Sequence, residues 1–76
     1  MKVTQKQILK LLVDNGVDQK LVSKLKPDVS LTAQGLDSVD YPVVIVAIKE
    51  KWGIAITEKE AAEIKTLQDF EKRLNR

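Results

Sequence analysis

The sequence contains neither cysteine nor histidine within its 76 residues. A chain this short buries little surface on folding, and small domains therefore often depend on disulfides or bound metal. Disulfides and ordinary zinc sites both need residues that this chain lacks. We therefore expect a single all-α domain over residues 1–76, stabilised by the packing of regular helices and without a metal site.

Threonine residues stand where three helices are expected to begin. Thr4 is followed three residues later by Gln7, and Thr57 is followed by Glu60. Both pairs have the spacing of a capping box, in which each residue's side chain bonds the other's backbone N–H. Thr66 is expected to cap a last helix. That helix would turn three apolar residues inward: Leu67, Phe70 and Leu74.

The chain between the first and the next long helix is rich in turn signals. Asn15 and Gly16 should end the first helix, and residues 17–26 predict a further turn or two of helix before Pro27 enforces a break. Residues 27–37 are predicted to form a structured loop. They contain apolar residues that a merely solvated linker would not need: Val29, Leu31 and Leu36.

Residues 43–48 are all apolar and mostly β-branched, a pattern that by itself favours a buried strand. No other segment offers a partner strand, because residues 54–56 are too few and a lone strand leaves its backbone groups unpaired. We therefore predict a helix over residues 38–52 that ends at Gly53. Pro42 then lies either in the first turn of a helix that begins near Asp40 or at a kink.

The charge pattern argues against binding to nucleic acid. The net charge of +2 and the isoelectric point of about 9.0 suggest such binding. However, residues 1–36 carry +3, residues 37–71 carry −4 and residues 72–76 carry +3. The few aromatic residues are scattered rather than interleaved with basic ones, as a base-stacking surface would require. We expect no nucleic-acid partner.

Membrane and secretory signals are also missing from the sequence. No apolar stretch approaches the roughly 20 residues of a membrane span. The first residues show no apolar core of a signal peptide. We therefore expect no membrane partner and a cytoplasmic location.

Ser38 is the residue of greatest chemical interest. Its hydroxyl is expected at a loop-to-helix junction, where the unpaired N–H groups of the first turn favour nearby anions. Taken alone, Ser38 or Asp37 would more often be a simple helix N-cap. The chain offers no histidine as a general base, so a serine hydrolase is not expected, and Ser38 would have to be acted on by another protein.

The surroundings of Ser38 resemble a known family. Residues 28–40, with Gly35-Leu36-Asp37-Ser38 near their end, resemble the acyl carrier protein signature of a loop that closes on Gly-x-Asp-Ser-Leu. Residues 51–56 are similar to the family's charged-aromatic-Gly-hydrophobic-x-hydrophobic segment. Residues 58–64 resemble its short third helix, and residues 65–70 the opening of its last helix. The resemblance spans most of the chain.

The resemblance implies a four-helix bundle of acyl-carrier type, with a long loop between the first two main helices and a short third helix. It also implies a covalent 4′-phosphopantetheine cofactor, moved from coenzyme A by a phosphopantetheinyl transferase that holds Mg²⁺. By position, Ser38 would be the attachment point, Asp37 would help to dock the transferase, and Gly35 would permit the tight loop. The other partners implied are acyl-loading and acyl-transferring synthase enzymes, served by a monomeric carrier.

Four residues after the serine are expected to contact partner enzymes: Val39, Asp40, Val43 and Val46. The family often has acidic residues along this helix, whereas this chain has Val43, Lys49 and Lys51 at such places. Partner recognition is therefore expected to be less electrostatic. The sequence leaves open whether Val43 forms an apolar spot beside the serine or packs into the core.

We therefore expect a non-catalytic carrier that holds acyl intermediates as thioesters for fatty acid, polyketide or related synthesis. The alternatives are a carrier of aminoacyl or peptidyl groups and an unmodified four-helix protein-interaction module.

Overall fold

The computed structural model describes residues 2–76, and all regular structure within them is helical. The helices are α1 (Gln5–Asp14), α2 (Gln19–Val22), α3 (Asp40–Trp52), α4 (Glu58–Glu63) and α5 (Leu67–Leu74), with a 3₁₀ turn at Thr32–Gln34. The predicted all-α fold is confirmed. The single-turn helix α2 is the additional turn expected after Gly16, and α4 is the expected short helix. Within residues 2–76, no helix is both long enough and apolar enough to cross a membrane.

The predicted threonine caps are present. Thr4 and Thr57 each form a complete capping box, with Gln7 and Glu60 respectively. Thr66 forms a third one with Asp69. Each cap satisfies N–H groups of the first helical turn that have no intrahelical partner, so the starts of α1, α4 and α5 are encoded locally.

Residues 43–48 are helical, although their composition favours a strand. Val44, Ala47 and Ile48 turn into the core, and this burial outweighs the modest cost of β-branched side chains in a helix. The helix begins at Asp40 rather than at Ser38, which is the first of the two alternatives that Pro42 left open. Pro42 therefore lies in the first turn, where its missing N–H leaves no intrahelical hydrogen bond unmade.

Buried core side chains come from every α-helix except α4, from the loop before α3 and from the segments on either side of α4, such as Ile56 and Ile64. Ile8, Leu12, Ile48 and Phe70 are among its fully buried side chains. The loop contributes Leu31 and Leu36, both buried, whereas Val29 is 37% exposed. Because the loop is anchored at two points in the core, the segment that leads to Ser38 is held against the helices.

Candidate functional site

Ser38 lies in a tight turn that leads directly into α3. The backbone N–H of Asp40 donates to the carbonyl of Asp37 at 2.9 Å, and that of Tyr41 donates to the carbonyl of Ser38 at 3.3 Å. The Ser38 side chain is exposed. The backbone of the turn is thus hydrogen-bonded on both sides of the serine, while Ser38 itself is exposed to solvent.

Asp37 and Ser38 play different parts in this turn. An Asp37 carboxylate oxygen accepts a hydrogen bond from the Val39 N–H at 3.2 Å, which stabilises the turn; the N-cap residue of α3 is Val39, so neither Asp37 nor Ser38 caps this helix. Within residues 2–76, serine hydroxyls form hydrogen bonds at Ser23, to the Lys20 carbonyl, and at Ser30, to Thr32. Ser38 is therefore the serine whose hydroxyl is left available to another molecule.

Gly35 is required by the shape of the loop. It ends the 3₁₀ turn with a φ of +108°, a conformation that L residues with side chains rarely adopt. The backbone conformation and not crowding is the reason, since a Cβ atom there would meet the end of the Leu21 side chain only at 3.4 Å. This left-handed residue turns Leu36 into the core, where its N–H donates to the Leu31 carbonyl at 3.1 Å. Gly35 therefore has the backbone conformation that a tight loop needs, and its place in the cofactor site stays a prediction.

A cavity of about 710 Å³ opens beside Ser38. It lies between α3 and α4 and is bordered by the loop before α3. Its apolar wall includes Pro42, Ile45, Val46, Ile56, Ala61 and Ile64. Polar and charged residues border it as well: Ser30, Thr32, Tyr41, Glu58 and Lys65. An apolar group attached to Ser38 through a flexible linker thus has a space in which to leave water.

Sequence reasoning missed most of this cavity. Tyr41 is half-buried, and its ring packs edge-on against Phe70 with centroids 5.9 Å apart. Burial, together with the nearby Asp69 carboxylate, raises the pKa of Tyr41. The only local signal for a cavity wall is the pair of small residues Ala61 and Ala62 on α4, which leaves space between that helix and α3.

The predicted partner-contact residues lie together after the serine. Val39, Val43 and Val46 expose 68%, 49% and 56% of their surfaces. Asp40 is half-buried at the start of α3. The exposure of Val43 decides between the two possibilities left open by the sequence, because this side chain forms an apolar surface spot rather than part of the core.

Helix α4, one wall of the cavity, is tied to α5 by an ion-pair cluster. Arg73 donates from Nε to a Glu60 carboxylate oxygen at 2.6 Å and from Nη2 to the Ala55 carbonyl at 2.9 Å. Arg76 reaches the same carboxylate at 3.1 Å. The Arg73 hydrogen bond, assisted by the Thr57 backbone N–H, lowers the pKa of Glu60 from 4.5 to about 2.

This lowered pKa predicts an acid-dependent loss of stability. A carboxyl group whose pKa is lower in the folded state stabilises the fold above its unfolded pKa, and this contribution disappears as the pH falls through the folded value. We expect Glu60→Gln to be less stable than the wild type in urea unfolding at pH 7. The difference should shrink between about pH 4.5 and about pH 2.

Glu63→Gln is the matched control, because Glu63 is exposed on the same helix. Its unfolding should follow the wild type across the pH range. A Glu60→Gln deficit that does not change with pH would show that the loss comes from packing rather than from the ionised carboxylate.

Residues 7–74 match the family described as "Phosphopantetheine attachment site". The chain is 32% identical over 71 residues to the acyl carrier protein of Solidesulfovibrio magneticus, an alignment that covers 91% of this chain and 86% of that protein. The chain belongs to the acyl carrier protein family. The resemblance noted around Ser38 is thereby confirmed.

A second relative of this carrier is acyl carrier protein MbtL of Mycolicibacterium paratuberculosis, which is 41% identical over 51 residues. The alignment covers 66% of this chain, and the chain spans only 57% of that relative's length. Proteins of the family carry covalently attached 4′-phosphopantetheine, so the predicted cofactor is confirmed at the level of the family. The exposed serine hydroxyl and the adjoining apolar cavity fit this group, because the arm can be attached without disturbing the fold.

Proposed function

We propose that this protein is a non-catalytic carrier whose Ser38 bears the phosphopantetheine arm. When bound, the arm provides a terminal thiol that holds acyl groups as thioesters. The observation that carries the proposal is the position of Ser38, exposed in a hydrogen-bonded turn beside a largely apolar cavity. The carrier would present its cargo to enzymes of fatty acid, polyketide or related synthesis.

The chain contributes to loading by positioning the Ser38 hydroxyl. The turn from Asp37 to Asp40 presents the Ser38 oxygen, and a visiting phosphopantetheinyl transferase would take the hydroxyl proton and supply the Mg²⁺. In the loading step a bond forms between this oxygen and the β-phosphorus of coenzyme A. The bond from that phosphorus to the bridging oxygen breaks, and adenosine 3′,5′-bisphosphate leaves. Asp37 remains a predicted transferase contact in addition to its role in the turn.

The lining of the cavity supports acyl cargo over aminoacyl cargo. Much of the wall is aliphatic, as at Ile45, Val46 and Ile56, while the charged residues Glu58 and Lys65 also line the cavity. Against the aliphatic part of the wall a charged ammonium group loses hydration, whereas an alkyl chain gains free energy on leaving water. Tethering also raises the effective concentration of the cargo at each enzyme, so weak protein contacts suffice. The cytoplasmic location and monomeric state stay predictions from the sequence.

The direct test is loading of the purified chain. The protein is incubated with coenzyme A, Mg²⁺ and a broad-range phosphopantetheinyl transferase, and its intact mass is measured. We expect a gain of one phosphopantetheinyl group, and a further gain of one acyl group when an acyl-coenzyme A replaces coenzyme A.

A second carrier of known competence serves as the positive control for the transferase. If that control is loaded and this chain gains no mass, the carrier proposal is wrong, and the unmodified interaction module becomes the better account. Efficient loading by aminoacyl-activating enzymes but not by acyl-transferring ones would favour the aminoacyl carrier.

A further inference from the structure

One basic side chain borders the cavity beside Ser38. Among the lysines and arginines of residues 2–76, Lys65 alone lines this cavity, together with Ser38 itself. Lys65 is exposed, and it takes no part in the ion pairs that the described residues form with one another. Its ammonium group is therefore available to an anion that is placed at the edge of the cavity.

The backbone of Lys65 is held from both sides. Its carbonyl accepts a hydrogen bond from the Leu31 N–H at 2.8 Å, and its own N–H donates to an Asp69 carboxylate oxygen at 3.0 Å. Leu31 is completely buried, so the first of these bonds ties Lys65 to the core. The Cα atom of Lys65 is thus fixed at the cavity edge, whereas its flexible side chain can adjust to a bound group.

The hydrogen bond to Leu31 also brings two hydroxyl groups to this edge of the cavity. Ser30 and Thr32 flank Leu31 in the chain, and both line the cavity. Their oxygens lie 3.2 Å apart and share one hydrogen bond, so one of the two hydroxyl protons remains available. We call Ser30, Thr32 and Lys65 the polar corner. An ammonium group and a hydroxyl donor are the kinds of group that bind phosphate oxygens.

Acidic residues surround the point where the arm would be attached. Asp37 precedes Ser38 in the chain, and Asp40 begins α3 two residues after it. The Asp37 carboxylate is bonded to the N–H of Val39 rather than to a basic side chain. The phosphodiester of an attached arm adds one more negative charge here, and like charges at such short distances repel each other. A cation on the cavity side offsets this repulsion, and Lys65 is the cation that the cavity wall provides.

Two further carboxylates lie near Lys65 without pairing with its ammonium group. An Asp69 carboxylate oxygen accepts hydrogen bonds from the backbone N–H groups of Lys65 and Thr66 at the start of α5. Glu58 lines the cavity but lies at the opposite end of α4, a helix whose six residues span about 9 Å. Neither carboxylate forms an ion pair with Lys65.

Resting on the proposed carrier function, we infer that Lys65 forms an ion pair with the phosphate of the arm attached to Ser38. Lys65 is thereby a positioning residue, which holds the first group of the arm at the polar corner. The remainder of the arm then starts along the cavity rather than out into solvent. An ion pair between exposed groups is weak, so the arm can still swing out to an enzyme.

The test compares the reactivity of the lysine amines in the unloaded and the loaded chain. The whole protein is loaded from coenzyme A by a broad-range phosphopantetheinyl transferase, and the thiol of the arm is capped with iodoacetamide. Both forms are then treated with an amine-acetylating reagent, and peptide mass spectrometry gives the rate at each lysine. We expect loading to slow acetylation of Lys65 about two- to fivefold, as for an exposed ion pair. In about 0.5 M salt this protection should largely disappear.

Lys59 is the matched control within the same chain, because it is exposed on α4 but does not line the cavity. Its acetylation rate should be equal in the two forms. Protection of Lys65 that persists in about 0.5 M salt would show that the arm covers the amine without pairing with it, and would overturn the inference.

Lys65→Met tests the same ion pair through stability. Urea unfolding is measured for the unloaded and the loaded form of each variant, and the shift in midpoint caused by loading is compared. This shift should be lower by about 0.2–1 M in Lys65→Met than in the wild type. Lys65→Arg keeps the positive charge and should show the wild-type shift.

Two results would overturn the inference and leave the carrier function intact. The first is equal acetylation of Lys65 in the unloaded and loaded forms, and the second is an equal midpoint shift in the wild type and in Lys65→Met. A wild type that gains no mass from coenzyme A would instead contradict the carrier function, and the role of Lys65 with it.

Discussion

Ser38→Ala is expected to abolish phosphopantetheine loading completely. The substitution removes the oxygen to which the arm would be joined, and no other described serine combines exposure with a hydroxyl left open by the fold. Intact mass after incubation with coenzyme A, Mg²⁺ and a phosphopantetheinyl transferase should show only the unmodified chain. Because Ser38 is exposed, the free energy of unfolding should change by less than about 0.5 kcal/mol.

The chain provides two matched controls for this variant, since Ser23 and Ser30 are its only other serines. Ser30 borders the same cavity, and Ser23 lies just after α2. Ser23→Ala and Ser30→Ala should be loaded as completely as the wild type. A mass gain that survives in Ser38→Ala would place the arm elsewhere and would contradict the assignment of the site.

The largest effect on stability is expected for Phe70→Ala. Phe70 is 2% exposed on α5 and contacts the Tyr41 ring edge-on. Removing a buried phenylalanine ring typically costs about 3–5 kcal/mol, through lost transfer free energy and the cavity that remains. Native proteins are stabilised by roughly 0.05–0.15 kcal/mol per residue, so this loss would remove much of the domain's free energy of unfolding. The measurement is the free energy of unfolding in urea.

Phe70→Leu covers the case in which the alanine variant does not fold. Leucine keeps part of the buried volume, so we expect a smaller but measurable loss of stability. Val39→Ala is the exposed control and should change the unfolding free energy by less than about 0.5 kcal/mol. A loss below about 1 kcal/mol in Phe70→Ala would contradict the burial of the Phe70 ring in the core.

Some features of this protein could be predicted from a few neighbouring residues. The starts of α1, α4 and α5 depend on threonine caps, whose partners lie three residues away. The turn at Gly35 depends on one residue that tolerates a positive φ. The position of Ser38 between this turn and the next helix could likewise be predicted from neighbouring residues.

Residues 43–48 show where local reasoning becomes insufficient. Their β-branched composition favours a strand, and only the lack of a partner strand argued for a helix. The start of α3 at Asp40 and the position of Pro42 in its first turn follow from the hydrogen bonds of the Asp37–Asp40 turn, which composition does not encode.

By itself, then, the sequence determined the all-α class, the helix caps, the family and the candidate serine, because each depends on residues close together in the chain or on a motif of fixed spacing. Only the tertiary structure decided that Val43 is exposed, that Tyr41 and Ala61 face one cavity and that Arg73 holds Glu60. Arg73 and Glu60 are 13 residues apart in the chain, and Tyr41 and Ala61 are 20 residues apart. The exposure of Val43 depends on which face of α3 packs against the core. All three features depend on how the helices pack, since the free energy of burial is set by the whole core rather than by any one segment.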